Sequence, residues 1–446
     1  MTAPSAPPTP SPSSPTAPAS PVSAASTASS TSVSAQAGGA SEGDAPGEWL
    51  AVHVFYAAST RPLLLRCVEP LVHALTREGL LAGYFFINYW LEGPHLRLRL
   101  KPARAADAPV VRERVHDALT AFLRERPALY EVKDGFFADL YETLFTLEFG
   151  DEERSAYLGP DGRMLLRPNN TFEDRPYEPE YGKYGGPAGI SLAEWHFQHS
   201  SDLVIEAARS MNLHLRTVLL GLSAQLMMVM SGTFLTGDEQ LLTFLDRYHT
   251  FWNRAFSATN YTADDGYDRA YTSMGASLPE RFRHVRTAVA RGETGTLPAF
   301  LRGWAGHCAE LRDRAAALAR EGGLVFRSWD GTRDIRPTDP AQALPMLLSP
   351  YMHMTNNRLS MTVRDEAFLS YVLARALRDG AAEDAAPADD ATRAEYSGGR
   401  RSRGRPQHGW DPRDPGRPRN SRDRRDPGRP ENGSGPRDPG RPEGEE

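Results

Sequence analysis

The sequence predicts an α+β fold, with a mixed or antiparallel sheet near the N-terminus packed against helices and a mainly helical C-terminal half. Three observations predict it. Two-residue alternation of apolar and polar residues is concentrated before position 102, and 3.6-residue apolar stripes dominate after position 190. Both ends have a composition that cannot bury a core. Residues 1–48 are almost wholly Ala, Pro, Ser and Thr, without the apolar run of a secretory signal. Residues 381–446 are rich in Arg, Asp, Pro and Gly, and RDPGRP recurs at Arg413, Arg425 and Arg437. Such a short unit has no apolar face to stack, so it reads as a low-complexity polyampholyte. The expected organisation is one folded domain, 49–380, between two disordered tails.

In chain order, Trp49 to Tyr56 reads as a strand of aromatic and β-branched residues. Ser59, Thr60 and Pro62 open a helix whose stripe is Leu64, Val68, Leu71 and Leu75, closing at Gly79. Tyr84 to Trp90 is a second strand, turned by Gly93 and Pro94 into a third. That third strand, within Gly93 to Pro102, reads GPHLRLRLKP. His95, Arg97 and Arg99 fall on one face and Leu96, Leu98 and Leu100 on the other. The leucine face is expected to pack on the first helix and on Val110 to Leu123. Residues 130–190 read as irregular, and Ser191 with Glu194 reads as a capping box opening a helix to Ser210. Helices follow over Leu213–Ser231, Glu239–Ala255, Ser277–Arg291, Leu297–Glu321 and Asp365–Arg378, with a short strand at Leu324–Trp329.

The formal net charge of −6 gives no global basic field for nucleic acid, and the arginines of the C-terminal tail are interleaved with acids. Cys67 and Cys308 are the two cysteines, far apart and in no CxxC arrangement. Neither a disulfide framework nor a cysteine zinc site is suggested, and a reducing cytoplasm fits. The apolar run Thr217–Met230 is expected to be too short to span a bilayer. No membrane association is therefore expected.

Three polar sets are candidates for chemistry. The first is the row His95, Arg97 and Arg99. Two guanidiniums about 7 Å apart on an extended strand repel, so the face is either solvated or an anion site, and a guanidinium fork suits a carboxylate. The second is Glu180 with Lys183, inside YEPEYGKYGG. Lys183 stands out because the chain has 51 basic residues and only Lys101, Lys133 and Lys183 are lysines. The third is His353 to Leu359, HMTNNRL, which contains Arg358 and follows Pro350. Each also has a structural reading: a wet outer strand face, an ion pair on a loop, and a satisfied core histidine. Other templates fail. GGPAG at 185–189 lacks the Lys-Ser/Thr of a phosphate loop, and Gly221 to Gln225 lacks the second glycine of a nucleophile elbow. His196, His199 and Asp202 could share a helical face, but spacing alone does not make a metal site.

FFINYWLEGPHLRLRL, YEPEYGKYGG and HMTNNRL, in that order, resemble the C-terminal domain of class I lantibiotic dehydratases, known when it stands alone as the thiopeptide-type bacteriocin biosynthesis domain. The resemblance spans nearly all of 49–380 and neither tail. It implies an enzyme of ribosomal peptide antibiotic biosynthesis, a lyase that eliminates glutamate from glutamylated Ser or Thr to leave dehydroamino acids. It also implies that Arg99, Glu180, Lys183 and His353 are catalytic and that His95, Arg97 and Arg358 bind substrate. Lys183 departs from the second arginine typical of the family, keeping the charge and losing the fork. No metal or organic cofactor is implied. The larger glutamylating domain of full-length members has no room in this chain. The expected partners are therefore a precursor peptide with its leader and a separate glutamyl-tRNA-dependent glutamylating protein, without direct tRNA binding; self-association as a homodimer stays open. Two alternatives accompany this reading. One is a pyridine synthase joining two dehydroalanines by a formal cycloaddition. The other is a non-catalytic module that binds a leader peptide by strand addition at a sheet edge near residues 84–101.

Overall fold

A computed structural model describes residues 45–130, 144–145, 154–255, 265–274, 277–328 and 331–385. The chain divides into units 1–387 and 388–446, and the second lies outside the described residues, as does most of each expected tail. The first unit begins with an antiparallel sheet of β1 (Leu50–Phe55), β2 (Leu81–Tyr89), β3 (His95–Pro102) and β4 (Thr171–Arg175), in the order β2-β3-β1-β4. The register sets Ala51, His53 and Phe55 opposite Arg99, Arg97 and His95, which face Phe85, Ile87 and Tyr89 across β2. One face is therefore cationic and aromatic. The opposite face carries Val52, Val54, Phe86, Leu96, Leu98 and Leu100, all buried.

The leucine face is covered by α1 (Glu69–Arg77) and α2 (Ala108–Glu125). α1 is entered through a helical turn, Arg61–Leu63, and a π turn, Leu64–Val68. Pro70 follows directly, and it cannot donate to the carbonyl four residues back. The widened turn is where the hydrogen-bond ladder adjusts. Val111, Val115 and Leu119 of α2 are fully buried at helical spacing.

β4 lies in the stretch expected to be irregular. Its sequence, TFEDR, lacks apolar alternation, and it is a strand because it pairs with β1 from Phe55–Thr171 to Ala51–Arg175. The capping-box expectation is corrected. The long helix α4 (Gly186–Ser210) begins ahead of Ser191, directly after the short α3 (Tyr181–Tyr184). Gly185, at φ 87°, ends α3 in a left-handed conformation, and Pro187 suits the first turn of α4. Ser191 Oγ donates instead to the Pro187 carbonyl, and Glu194 accepts from Tyr177.

The helical half comprises α5 (Arg216–Phe234), α6 (Asp238–Ala255), α7 (Asp265–Met274), α8 (Ser277–Ala290), α9 (Ala299–Arg320), α10 (Pro340–Arg358) and α11 (Val363–Ala385). A small hairpin, β5 (Phe326–Arg327) with β6 (Asp334–Ile335), replaces the single strand expected at Leu324–Trp329; Trp329 lies outside the described residues. α5 is longer than its apolar run suggested, and its 19 residues are long and apolar enough to cross a membrane. Of that apolar stretch 67% is buried, against α8, α9 and α10, which identifies a core helix. α10 was not anticipated, because Pro345 and Pro350 sit inside it. A helix-interior proline costs about 3 kcal/mol. Leu344, Leu347, Leu348, Tyr351 and Met352 are buried along the same helix at roughly 1.5–3 kcal/mol each, which outweighs both prolines.

The edge of β2 is closed. Asn88 N–H donates to Asn357 Oδ1 at 2.9 Å, Asn357 Nδ2 donates to the Asn88 carbonyl at 2.8 Å, and Phe86 N–H donates to Ser201 Oγ at 3.3 Å. Side chains of α10 and α4 thus occupy the ladder positions that strand addition near residues 84–101 would need, and β3 is an interior strand. Strand addition at Phe86 and Asn88 would have to displace these side chains.

Candidate functional site

The odd-numbered residues of β3 face β1 and β2 neighbours that cannot neutralise them. Arg97 lies over the Tyr89 ring, its Cζ 3.3 Å from the centroid, and its Nε donates to His95 Nε2 at 3.4 Å. His95 Nδ1 donates to the Gly93 carbonyl at 2.9 Å, which fixes a neutral ring. Burial, then the Arg97 charge, pushes its pKa down to about 3. Arg99 Nη2 donates to His53 Nε2 at 3.2 Å. His53 is held well below the ordinary histidine range by burial and by Arg97 and Arg99, so it accepts as a neutral ring.

Arg99 is only 5% exposed, and its Nε and Nη1 have no hydrogen-bond partner among the described residues. Its Cζ stands 5.7 Å from the Tyr177 ring. Burial, then Arg97, pushes its pKa down to about 9. The nearby Arg167 and Arg175 are balanced: both donate to buried Glu92, at 2.8 and 3.0 Å, and Arg175 also meets Glu173. Arg97 and Arg99 form no ion pair among the described residues. Glu178 acts on Arg99 from beyond ion-pair distance, so the face keeps its positive charge on these two guanidiniums, as an acceptor of negative charge.

Tyr177 borders the same face. It packs on Trp49 and Phe85, and its hydroxyl donates to Glu194 at 2.7 Å. Burial and the Glu194 carboxylate raise its pKa, while Arg99 opposes and Glu180 adds to the rise. Glu180 thus shares an electrostatic neighbour with Arg99. Glu180 caps α3 and accepts from Lys183 Nζ at 3.3 Å, so the expected pair forms across one helical turn. Behind it, the buried Tyr184 ring meets Phe197 and stacks on Tyr351.

Arg358 occupies the interior beside this aromatic group. It is 1% exposed, lies over the Phe197 ring, and donates to Ser201 Oγ and the Met354 carbonyl at 3.2 and 2.8 Å. Burial pushes its pKa down to about 9. Its contacts are those of a buried brace between α10 and α4.

His353 lies on a different side of α10. Its Nδ1 is 2.9 Å from Glu366 Oε1, and its ring packs 5.0 Å from Trp252. Two residues of α-helix turn a side chain by about 200°, so His353 faces α6 and α11 while Tyr351 faces Tyr184. Tyr177, two residues past β4, links the Arg97–Arg99 face to Glu180, which pairs with Lys183. The contacts of His353 run instead to Glu366 and Trp252.

The histidines of α4 are internal. His196 Nδ1 is 2.9 Å from His307 Nε2, His199 stacks on His307 at 3.7 Å, and Asp202 accepts from the Tyr84 hydroxyl at 2.6 Å. Among the described residues no group of three His, Cys, Asp or Glu side chains is arranged to hold a metal. Sequence reasoning missed His53 and Glu366, and it held Tyr177 only as the first residue of YEPEYGKYGG. His53 carried a usable signal, since it shares the two-residue phase of Ala51 and Phe55 in β1.

No curated protein matches the chain. Among solved structures, the fold is similar to "Pyridine synthase, TbtD, from thiomuracin biosynthesis", with a TM-score of 0.56, 22% identity, and coverage of 74% of this chain and 98% of that one. It is also similar to TsrL, with a TM-score of 0.54, 16% identity, and coverage of 75% and 96%. The tRNA-dependent lantibiotic dehydratase MibB from Microbispora sp. 107891 is matched at a TM-score of 0.43 and 18% identity, over 79% of this chain and 29% of that one. The model of the family described as "Lantibiotic biosynthesis dehydratase C-term" matches residues 49–377, which include β3, the Glu180–Lys183 turn, α10 and Glu366. On that match, the chain belongs to the lantibiotic biosynthesis dehydratase C-terminal family.

Proposed function

We propose that this protein is a lyase that eliminates glutamate from glutamylated Ser or Thr of a ribosomal precursor peptide. The observation that carries this reading is the pair Arg97 and Arg99, two guanidiniums on a largely buried face that form no ion pair among the described residues, Glu178 acting on Arg99 only from a distance. A glutamyl ester brings a free carboxylate and an ammonium group and expels a carboxylate. Arg97 and Arg99 suit the carboxylates, and Glu180, backed by Lys183, suits the ammonium. In this reading His353, whose contacts run to Glu366 and Trp252 and not to the Arg97–Arg99 face, is the base that the bound ester's Cα must reach. The electrons of the C–H bond form the Cα=Cβ bond, and the Cβ–O bond breaks to release glutamate. The family supplies the substrate of this reading, a leader-bearing precursor peptide, and the reading requires that its Ser or Thr be glutamylated beforehand. The chain itself neither binds tRNA nor enters a membrane, and it works in the cytoplasm.

Pyridine formation from two dehydroalanines is the second reading. The mutual neutralisation of Glu180 and Lys183 favours it, because two neutral alkenes call for less charge than a glutamyl ester does. Purified protein is given one peptide bearing glutamyl-Ser and another bearing two dehydroalanines, and both are followed by mass spectrometry. Loss of glutamate from the first supports elimination. A pyridine formed from the second, with release of the leader, overturns it. No change in either, with tight binding of the leader, leaves a binding module.

A further inference from the structure

Glu366 lies on α11, in no motif singled out from the sequence, and its side chain is 1% exposed. A buried carboxylate is costly unless its oxygens are occupied. Oε2 accepts from the Tyr248 hydroxyl and from Asn356 Nδ2. Asn356 is held in that orientation because its Oδ1 accepts from Ser223 Oγ at 2.7 Å. With Oε2 committed to two donors, Oε1 is left facing His353 Nδ1 at 2.9 Å. A carboxylate oxygen cannot donate, so Nδ1 carries a proton; otherwise two lone pairs would oppose each other at that distance. A neutral His353 then has its lone pair on Nε2. The ring cannot swing freely, since Trp252 lies against it. Its side chain retains 17% exposure, unlike that of Glu366.

From this geometry we infer that Glu366 is a positioning residue, which holds His353 in the Nδ1–H tautomer so that Nε2 serves as the base in the elimination. The inference rests on the proposed reaction. In the step itself, Nε2 takes the Cα proton, the C–H electron pair becomes the new Cα=Cβ bond, and the Cβ–O pair leaves with the glutamate carboxylate. The resulting imidazolium is stabilised by Glu366 and returns its proton to solvent. Ionisable groups that reach His353 from the elements packed on it are Glu366 of α11 and, through Glu366, Tyr248 of α6.

The Glu366→Gln variant tests this by a specific route. Two donors already converge at the Oε2 position, so the amide oxygen must occupy it and the amide NH2 must face His353 Nδ1. The ring is then driven to the Nε2–H tautomer and loses its base. Nitrogen NMR of the histidine-labelled full chain, with His353 assigned by its absence in His353→Gln, should show Nδ1–H in the wild type and Nε2–H in Glu366→Gln. On a glutamyl-Ser peptide, kcat should fall on the order of 10²–10⁴-fold, the range for a lost general base, with KM little changed. Glu366→Asp should recover part of the loss and keep the Nδ1–H tautomer. An Nε2–H tautomer in the wild type overturns the inference, and so does wild-type turnover in Glu366→Gln; both leave elimination standing. Absence of glutamate release from the wild type overturns the elimination and the base role together, whereas the tautomer switch reports separately on whether Glu366 governs His353.

Discussion

Replacing Arg99 by methionine should stabilise the protein while removing its activity. The side chain is 5% exposed and two of its donors are unpartnered among the described residues. A buried donor left unsatisfied costs about 1–3 kcal/mol, so removing two relieves roughly 2–6 kcal/mol. Against this stand the lost bond to His53, about 1–3 kcal/mol, and the altered shape, about 1 kcal/mol. At the middle of these ranges the net gain is about 1 kcal/mol, read as a higher urea midpoint at unchanged m-value. Glutamate release should fall by about 10²–10³-fold, the cost of one preorganised donor to developing negative charge. Destabilisation by more than about 2 kcal/mol would show that the guanidinium is a structural brace. Unchanged turnover would remove it from the site.

Other consequences can be checked together. Asn357→Ala should destabilise by about 2–4 kcal/mol, because it orphans both the N–H and the carbonyl of Asn88; amide exchange at Asn88 should accelerate more than at Leu98. Acid should unfold the domain early. His53, His95, His196 and His307 are all held neutral by burial, with His95 down to about 3 and His307 down to about 2. The unfolded chain binds protons below pH 6.5, the ordinary histidine value, and the folded chain does not. Stability is therefore complete above pH 6.5 and falls as pH drops toward 3, by about 1.4 kcal/mol per pH unit for each histidine. A urea midpoint that is flat between pH 6.5 and 4.5 would contradict the neutral assignments.

The cationic face was legible because β3 alternates strictly, so that a two-residue period alone separates His95, Arg97 and Arg99 from three leucines. Its edge was not. β4 has no apolar phase, and its strand character comes from pairing with β1, a long-range contact that no local pattern encodes. α10 was obscured by Pro345 and Pro350, whose local cost is overruled by burial along the whole helix. The motifs singled out Glu180, Lys183 and His353; the first two pair across a helical turn where a loop was expected, and His353 lies against Glu366 and Trp252. The partner of His353 was not legible, since Glu366 reaches it from the next helix, oriented by Tyr248 and by Asn356.

Elimination at the Arg97–Arg99 face is tested most directly by the release of free glutamate from a precursor peptide carrying a Cα-deuterated glutamyl-Ser. The expected result is one glutamate for each dehydroalanine formed, and slower release than from the protiated peptide, because the Cα bond breaks in the step that expels the carboxylate. A peptide that retains its glutamate throughout the incubation, while the protein remains folded and bound to it, would contradict the account.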